Sequence, residues 1–99
     1  MFSEKQGIRH LVEALVAQGL QHVVISPGSR NGPLVLTFDA HPAISCLSVA
    51  DERSAGFFAL GMAQQLHQPV AVVCTSGSAA LNYAPAIAEA YYQRVPLLV

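Results

Sequence analysis

The stretch Val70-Ala71-Val72-Val73-Cys74-Thr75-Ser76-Gly77-Ser78 decides the fold class. Five apolar residues run without a polar interruption and then stop at four small, mostly polar ones. A strand that alternates apolar and polar residues has one wet face, whereas an unbroken apolar run is buried on both faces. The small-residue break is a strand-to-helix turn, and Ala79 to Tyr92, rich in alanine, reads as the helix that follows. Strand, turn and helix in that order form one unit of a parallel sheet.

The same unit recurs on both sides. Upstream, residues 4–18 carry Ile8, Leu11, Val12, Leu15 and Val16 at helical spacing, with Gly19 as a stop. His22 to Ser26 is a short β-branched strand broken by Ser26-Pro27-Gly28-Ser29. A helix over about 31–39 follows, with Pro33 in its first turn, where a missing N–H costs nothing. Ile44 to Val49 is a second strand, and Asp51 to Leu66 a helix. Pro96 to Val99 opens a fourth strand. The order α-β-α-β-α-β-α-β predicts an α/β fold, a three-layer, doubly wound parallel sheet with helices on both faces. Ligands in such sheets sit at the carboxyl ends of the strands. Here those ends are Ser26 to Arg30, Ala50-Asp51-Glu52-Arg53 and Thr75 to Ser78, and all three fall on one edge.

Composition narrows the function. The chain has 99 residues, 53% hydrophobic and 11% charged, with a formal net charge of -1. That length holds one core. The absence of a basic run argues against nucleic acid or an anionic membrane surface as partner. There is no run of about 18 apolar residues to span a bilayer, and the first residues lack a signal-peptide pattern. Two cysteines, Cys46 and Cys74, make neither a disulfide scaffold nor a zinc site, and His10, His22, His41 and His67 have no metal-ligand spacing. The expectation is a soluble, reduced, cytoplasmic protein. Charge is scarce against the usual ~25%, so one face is expected to be covered by a partner or by more of the polypeptide. Val95-Pro96-Leu97-Leu98-Val99 reads as the middle of a strand, so the sequence is taken as part of something longer.

Three clusters can carry chemistry, and each has a plainer alternative. Asp51-Glu52 opens a helix, where acids cap the end and favour the dipole; alternatively Glu52 is a half-buried carboxylate able to share a proton with a ring nitrogen. Pro27-Gly28-Ser29-Arg30 is either a tight turn, capped by Ser29 or Asn31, or a place where the backbone approaches a ligand and Arg30 grips a carboxylate. Thr75-Ser76-Gly77-Ser78 either caps a helix or cradles polar ligand atoms. Asn82 is a helix-surface residue or a ligand contact. Tyr91-Tyr92 and Phe57-Phe58 are assigned to core or interface. Neither Walker A nor G-x-G-x-x-G is present.

Taken together, Ile25-Ser26-Pro27-Gly28-Ser29-Arg30, Asp51-Glu52-Arg53 with Ala59-Leu60-Gly61-Met62-Ala63, and Val70 to Ala79 resemble the pyrimidine-binding domain of thiamine-diphosphate enzymes. Within that superfamily the P-G-S-R and D-E-R motifs are similar to those of the 2-succinyl-5-enolpyruvyl-6-hydroxy-3-cyclohexene-1-carboxylate synthase (MenD) family of menaquinone biosynthesis. The resemblance implies a transferase that decarboxylates 2-oxoglutarate and adds the succinyl-semialdehyde carbanion to isochorismate. It implies thiamine diphosphate as cofactor, with Glu52 as catalytic residue at the pyrimidine N1′ and Thr75, Ser76 and Gly77 beside the ring. Ser29 and Arg30 would bind substrate. Mg²⁺ (or manganese) would be held by ligands outside this chain, in a homo-oligomer, dimer or tetramer. Residues 1–99 would then be the N-terminal part of the pyrimidine-binding domain, inactive alone, with the central and diphosphate-binding domains absent. Asn31-Gly32-Pro33 and Ser78 depart mildly from the family pattern. The alternatives are another thiamine-diphosphate enzyme, acetolactate-synthase-like, or a non-catalytic Rossmann-like association module.

Overall fold

The computed structural model describes residues 6–28 and 30–99. The elements run α1 (Gln6–Ala17), β1 (His22–Ile25), α2 (Gly32–Ala40), β2 (Ser45–Ser48), α3 (Glu52–Leu66), β3 (Val70–Val73), α4 (Ser78–Leu81), α5 (Ala84–Gln93) and β4 (Leu97–Leu98). The strands form one sheet in the order β2-β1-β3-β4, and every pairing is parallel. His22 aligns with Ser45 on one side and with Val70 on the other.

β1 and β3 lie inside the sheet, and their side chains feed two cores. Val23, Ile25, Ala71 and Val73 pack with Val12 of α1 and Phe38 of α2. Val24, Val70 and Val72 pack on the opposite face with Ala55, Ala59 and Ala63 of α3 and with Tyr83. Adjacent strand residues point to opposite faces, so an all-apolar strand needs a helical layer on each side, and the chain supplies both. The alanines at Ala55, Ala59 and Ala63, spaced four apart, let α3 lie close on the sheet.

Two expectations are corrected. Ile44 to Val49 was grouped with the buried strands, but β2 is an edge strand whose Ser45, Leu47 and Ser48 are exposed. The helix expected over 79–92 is two helices, α4 and α5, broken at Asn82 and Tyr83. Pro85 is the cause: it stands in the first turn of α5 and has no N–H to give to a carbonyl in the preceding turn. Asn82 assists by turning its side-chain amide back to the Ser78 carbonyl at 2.8 Å. That bond places Asn82 at the end of α4.

Phe58, Tyr91 and Tyr92, expected in core or interface, are not core. They are 51%, 76% and 81% exposed, and with Leu81 and Ile87 they leave an apolar surface on α3, α4 and α5.

Candidate functional site

In a sheet ordered β2-β1-β3, the chain leaves β1 towards one side and returns past it to the other. The carboxyl ends of β1 and β3 therefore diverge into separate connections and leave a crevice between them. The three sequence clusters meet there.

The β1 end is a tied loop. Ser26 is fully buried and donates its hydroxyl to the Val49 carbonyl at 2.7 Å, joining the ends of β1 and β2. Asn31 is also buried. Its Oδ1 accepts from the Gly28 N–H at 3.0 Å, and its Nδ2 donates to the Ser26 carbonyl at 3.1 Å. Asn31 stands at the N-cap of α2 but makes no side-chain cap bond there, so its role is to clamp the loop rather than the helix. Gly28 lies directly on β3's end: a Cβ at this position would stand 2.8 Å from Thr75 Cβ. Arg30 is exposed, and its Nη1 reaches the Ser76 hydroxyl at 3.5 Å. Ser29 lies outside the described residues.

The β2 end shows which acid caps α3. Asp51 accepts from the Ser54 N–H at 2.9 Å and from the Ser54 hydroxyl at 2.7 Å. Those two bonds hold its carboxyl below the ordinary value of 3.8. Glu52 is half-buried and has no hydrogen bond or ion pair among the described residues. The plainer role therefore falls to Asp51, and Glu52 is left over.

A depressed carboxyl pKa stabilises the fold above the unfolded value and loses that contribution as pH falls through the folded one. Stability should therefore decline on acidification below about pH 3.8. In Asp51→Asn, which still caps, urea midpoints measured against pH should lose this part of the decline.

The β3 end is less of a cradle than its sequence suggests. Thr75 is half-buried, Ser76 and Ser78 are exposed, and α4 has four residues, too few for a strong dipole. What stands out is space. Gly77 has φ +79°, and nothing lies within 4 Å of where its Cβ would be, so the backbone is bare on that side.

Beneath the edge is a residue the sequence did not single out. Tyr83, between α4 and α5, is fully buried, and among the described residues its hydroxyl makes no well-formed hydrogen bond. The Ser26 hydroxyl and the Cys74 thiol lie close enough to bear on its ionisation. Burial pushes the phenol up to about 12, against a small lowering from Ser26, and the thiol and the Glu52 charge raise it further. Burial also raises the Cys74 thiol and the Cys46 thiol, so both stay protonated, as expected of packed cysteines.

An apolar cavity of about 430 Å³ lies along β3 and β4, lined by Leu34, Phe38, Val73, Cys74, Tyr83 and Leu98 among others. Neither Glu52 nor Arg30 lines it. Among the described residues no group of three His, Cys, Asp or Glu could hold a metal ion, and no helix is long and apolar enough to cross a membrane.

Comparison with solved structures finds the same fold in benzoylformate decarboxylase from Polynucleobacter necessarius. The TM-score is 0.77 at 23% identity, over 98% of this chain and 17% of that one. Among curated sequences, the chain is 60% identical over 95 residues to the 2-succinyl-5-enolpyruvyl-6-hydroxy-3-cyclohexene-1-carboxylate synthase of Desulfotalea psychrophila, covering 96% of this chain and 18% of that protein. It is 59% identical over 99 residues to the synthase of the same name from Bacteroides fragilis, covering 100% of this chain and 18% of that protein. The chain thus spans less than a fifth of the length of these relatives. The family model for the thiamine pyrophosphate enzyme N-terminal TPP binding domain matches residues 5–99. A match over nearly the whole chain, on a parallel sheet of this order, makes this chain a member of the thiamine pyrophosphate enzyme N-terminal TPP binding domain family.

Proposed function

We propose that this chain carries the pyrimidine half of the cofactor site of a 2-succinyl-5-enolpyruvyl-6-hydroxy-3-cyclohexene-1-carboxylate synthase, acting on 2-oxoglutarate and isochorismate in the cytoplasm. The observation that carries the proposal is Glu52: half-buried, without a hydrogen bond or ion pair among the described residues, and spared the capping role by Asp51. The residues fit the pyrimidine end of thiamine diphosphate. A carboxylate without a partner suits a ring nitrogen, and the bare backbone at Gly77 admits a flat ring. When bound, thiamine diphosphate supplies the electron sink for decarboxylation and carbon–carbon bond formation.

The chain's own residues divide the work. Glu52 holds a proton against the ring nitrogen, a general-acid role that needs a group able to ionise. Thr75, Ser76 and Gly77 form the wall beside it. Arg30 projects over that wall, near enough to Ser76 to be steadied there, and offers a fixed cation to an acidic substrate. Ser29 adjoins it in sequence. Mg²⁺, in this reading, is held by residues beyond this chain. The exposed apolar surface of Phe58, Leu81, Tyr91 and Tyr92 suits association with a second copy, since patches of this kind mark interfaces.

The test is an assay of the intact polypeptide with thiamine diphosphate, Mg²⁺, 2-oxoglutarate and isochorismate. Formation of the succinyl-cyclohexene product supports the proposal. Turnover of pyruvate in place of 2-oxoglutarate would move the assignment to an acetolactate-synthase-like enzyme. No turnover of either would leave an association module. In the active enzyme, Arg30→Ala should raise KM for one of the two acids about tenfold, the scale of one charge-assisted hydrogen bond.

A further inference from the structure

Asn31 breaks a local rule. It stands at the N-cap of α2, where an asparagine side chain ordinarily accepts from the first turn of the helix, yet it makes no such bond. Departures from local preference concentrate at functional or strained positions. Here the side chain is given to the loop instead. One amide meets two opposite needs, accepting from the Gly28 N–H at 3.0 Å and donating to the Ser26 carbonyl at 3.1 Å, in a residue only 6% exposed. Its main chain is held from the other side, where the Val35 N–H donates to the Asn31 carbonyl at 2.9 Å. The ties run further. Ser26 is joined to Val49 beyond the end of β2, and Gly28 lies against Thr75 beyond the end of β3. Asn31 therefore links the carboxyl ends of three strands.

Arg30 is the neighbour of this tie in the chain. It is exposed, and among the described residues it has no acidic partner. Its long side chain has a resting point at the far end, the Ser76 hydroxyl at 3.5 Å. A flexible cation loses conformational freedom when it grips a ligand, and a main chain fixed beforehand reduces that loss. We infer that Asn31 is a positioning residue for Arg30: by tying Ser26 and Gly28 together it fixes the main chain from which the guanidinium reaches over Ser76, and so sets the affinity for an acidic substrate. This rests on the reading of Arg30 as a substrate-binding cation given above.

The experiment compares KM for 2-oxoglutarate and for isochorismate in the intact enzyme across Arg30→Ala, Asn31→Leu and the two together. Amide hydrogen exchange at Gly28 is measured on the same proteins, so that one readout does not depend on turnover. Leucine keeps the branched shape of asparagine and brings no charge, but it can make neither bond. Asn31→Leu is expected to speed exchange at Gly28 about tenfold. It is expected to raise KM about fivefold, the scale of one hydrogen bond, for the same acid that Arg30→Ala affects, with kcat within about twofold. Added to Arg30→Ala it is expected to raise that KM no further, because it acts through the guanidinium. A merely structural asparagine would lower the melting temperature and the active fraction and leave KM where it was. Effects that multiply in the pair, a KM that Asn31→Leu leaves unmoved, or unchanged exchange at Gly28 each overturn the inference and leave Arg30 in place. If Asn31→Leu does not fold, Asn31→Ser, a smaller and still polar side chain, decides in its place. If Arg30→Ala changes neither KM, the reading of Arg30 falls, and this inference with it.

Discussion

Glu52→Gln in the intact enzyme is expected to lower turnover by about 10²–10⁴-fold, the usual contribution of a positioned acid–base group. The amide keeps the size and planarity of the carboxyl but cannot hold or release the proton. Among the described residues Glu52 makes no hydrogen bond or ion pair that the substitution could break. The helix start is secured by Asp51 through Ser54. The only structural loss is a favourable charge near the α3 dipole, worth about 0.3–1 kcal/mol when exposed. Turnover at saturating cofactor and a thermal melt on the same sample separate the two effects. A variant that melts normally and has lost most of its turnover supports the assignment. A fully active variant would make Glu52 no more than a helix-start acid.

Gly28→Val is expected to cost about 3 kcal/mol in folding stability, the upper end of what overpacking imposes. Even a bare Cβ at Gly28 would lie 2.8 Å from Thr75 Cβ and 3.0 Å from Thr75 Cγ2. Threonine is branched at Cβ and stiff about χ1, so no flexible end can swing aside. The backbone of one loop must move, and the Ser26–Asn31–Gly28 bonds resist that on the β1 side. The displacement would also separate Arg30 from Ser76, so cofactor and substrate affinity should fall together. Gly32→Ala is the control: nothing lies within 4 Å of its Cβ, and its effect should stay within about 0.5 kcal/mol. Urea midpoints for the two variants make the comparison. Equal stability would mean that the two loops are not in contact.

Much of the fold can be read in the chain because two periods alternate in it. The apolar runs at His22–Ile25 and Val70–Val73 leave no wet face, and only a sheet covered on both sides accommodates them. Ser45-Cys46-Leu47-Ser48 was harder, since edge position depends on strand order, which no local pattern records. The break between α4 and α5 was written in Pro85, but the alanines around it read as uninterrupted helix. At the candidate site, the type and spacing of Glu52, Arg30 and Thr75 put them at one edge of the sheet, where the structure also gathers them. The division of labour between Asp51 and Glu52 did not show, because it turns on where the Ser54 hydroxyl points. Asn31 looked like a cap and is a loop clamp. Tyr83 looked like one aromatic among several, and its full burial arises only once three segments have closed around it.

The sheet order has a consequence for how the chain is made. β1 is synthesised first of the four strands and ends at the centre, pairing with both β2 and β3. As the chain emerges, α1, β1, α2 and β2 can assemble, and the helices cover only the face holding Val23 and Ile25. The face holding Val24 stays bare until α3 and Tyr83 arrive. During that interval the nascent chain presents an apolar sheet face and an unpaired inner strand, which favour aggregation while the rest of a parallel sheet is awaited. The pace of synthesis between β2 and α5 therefore bears on the yield of folded protein, as does a chaperone's hold on that face.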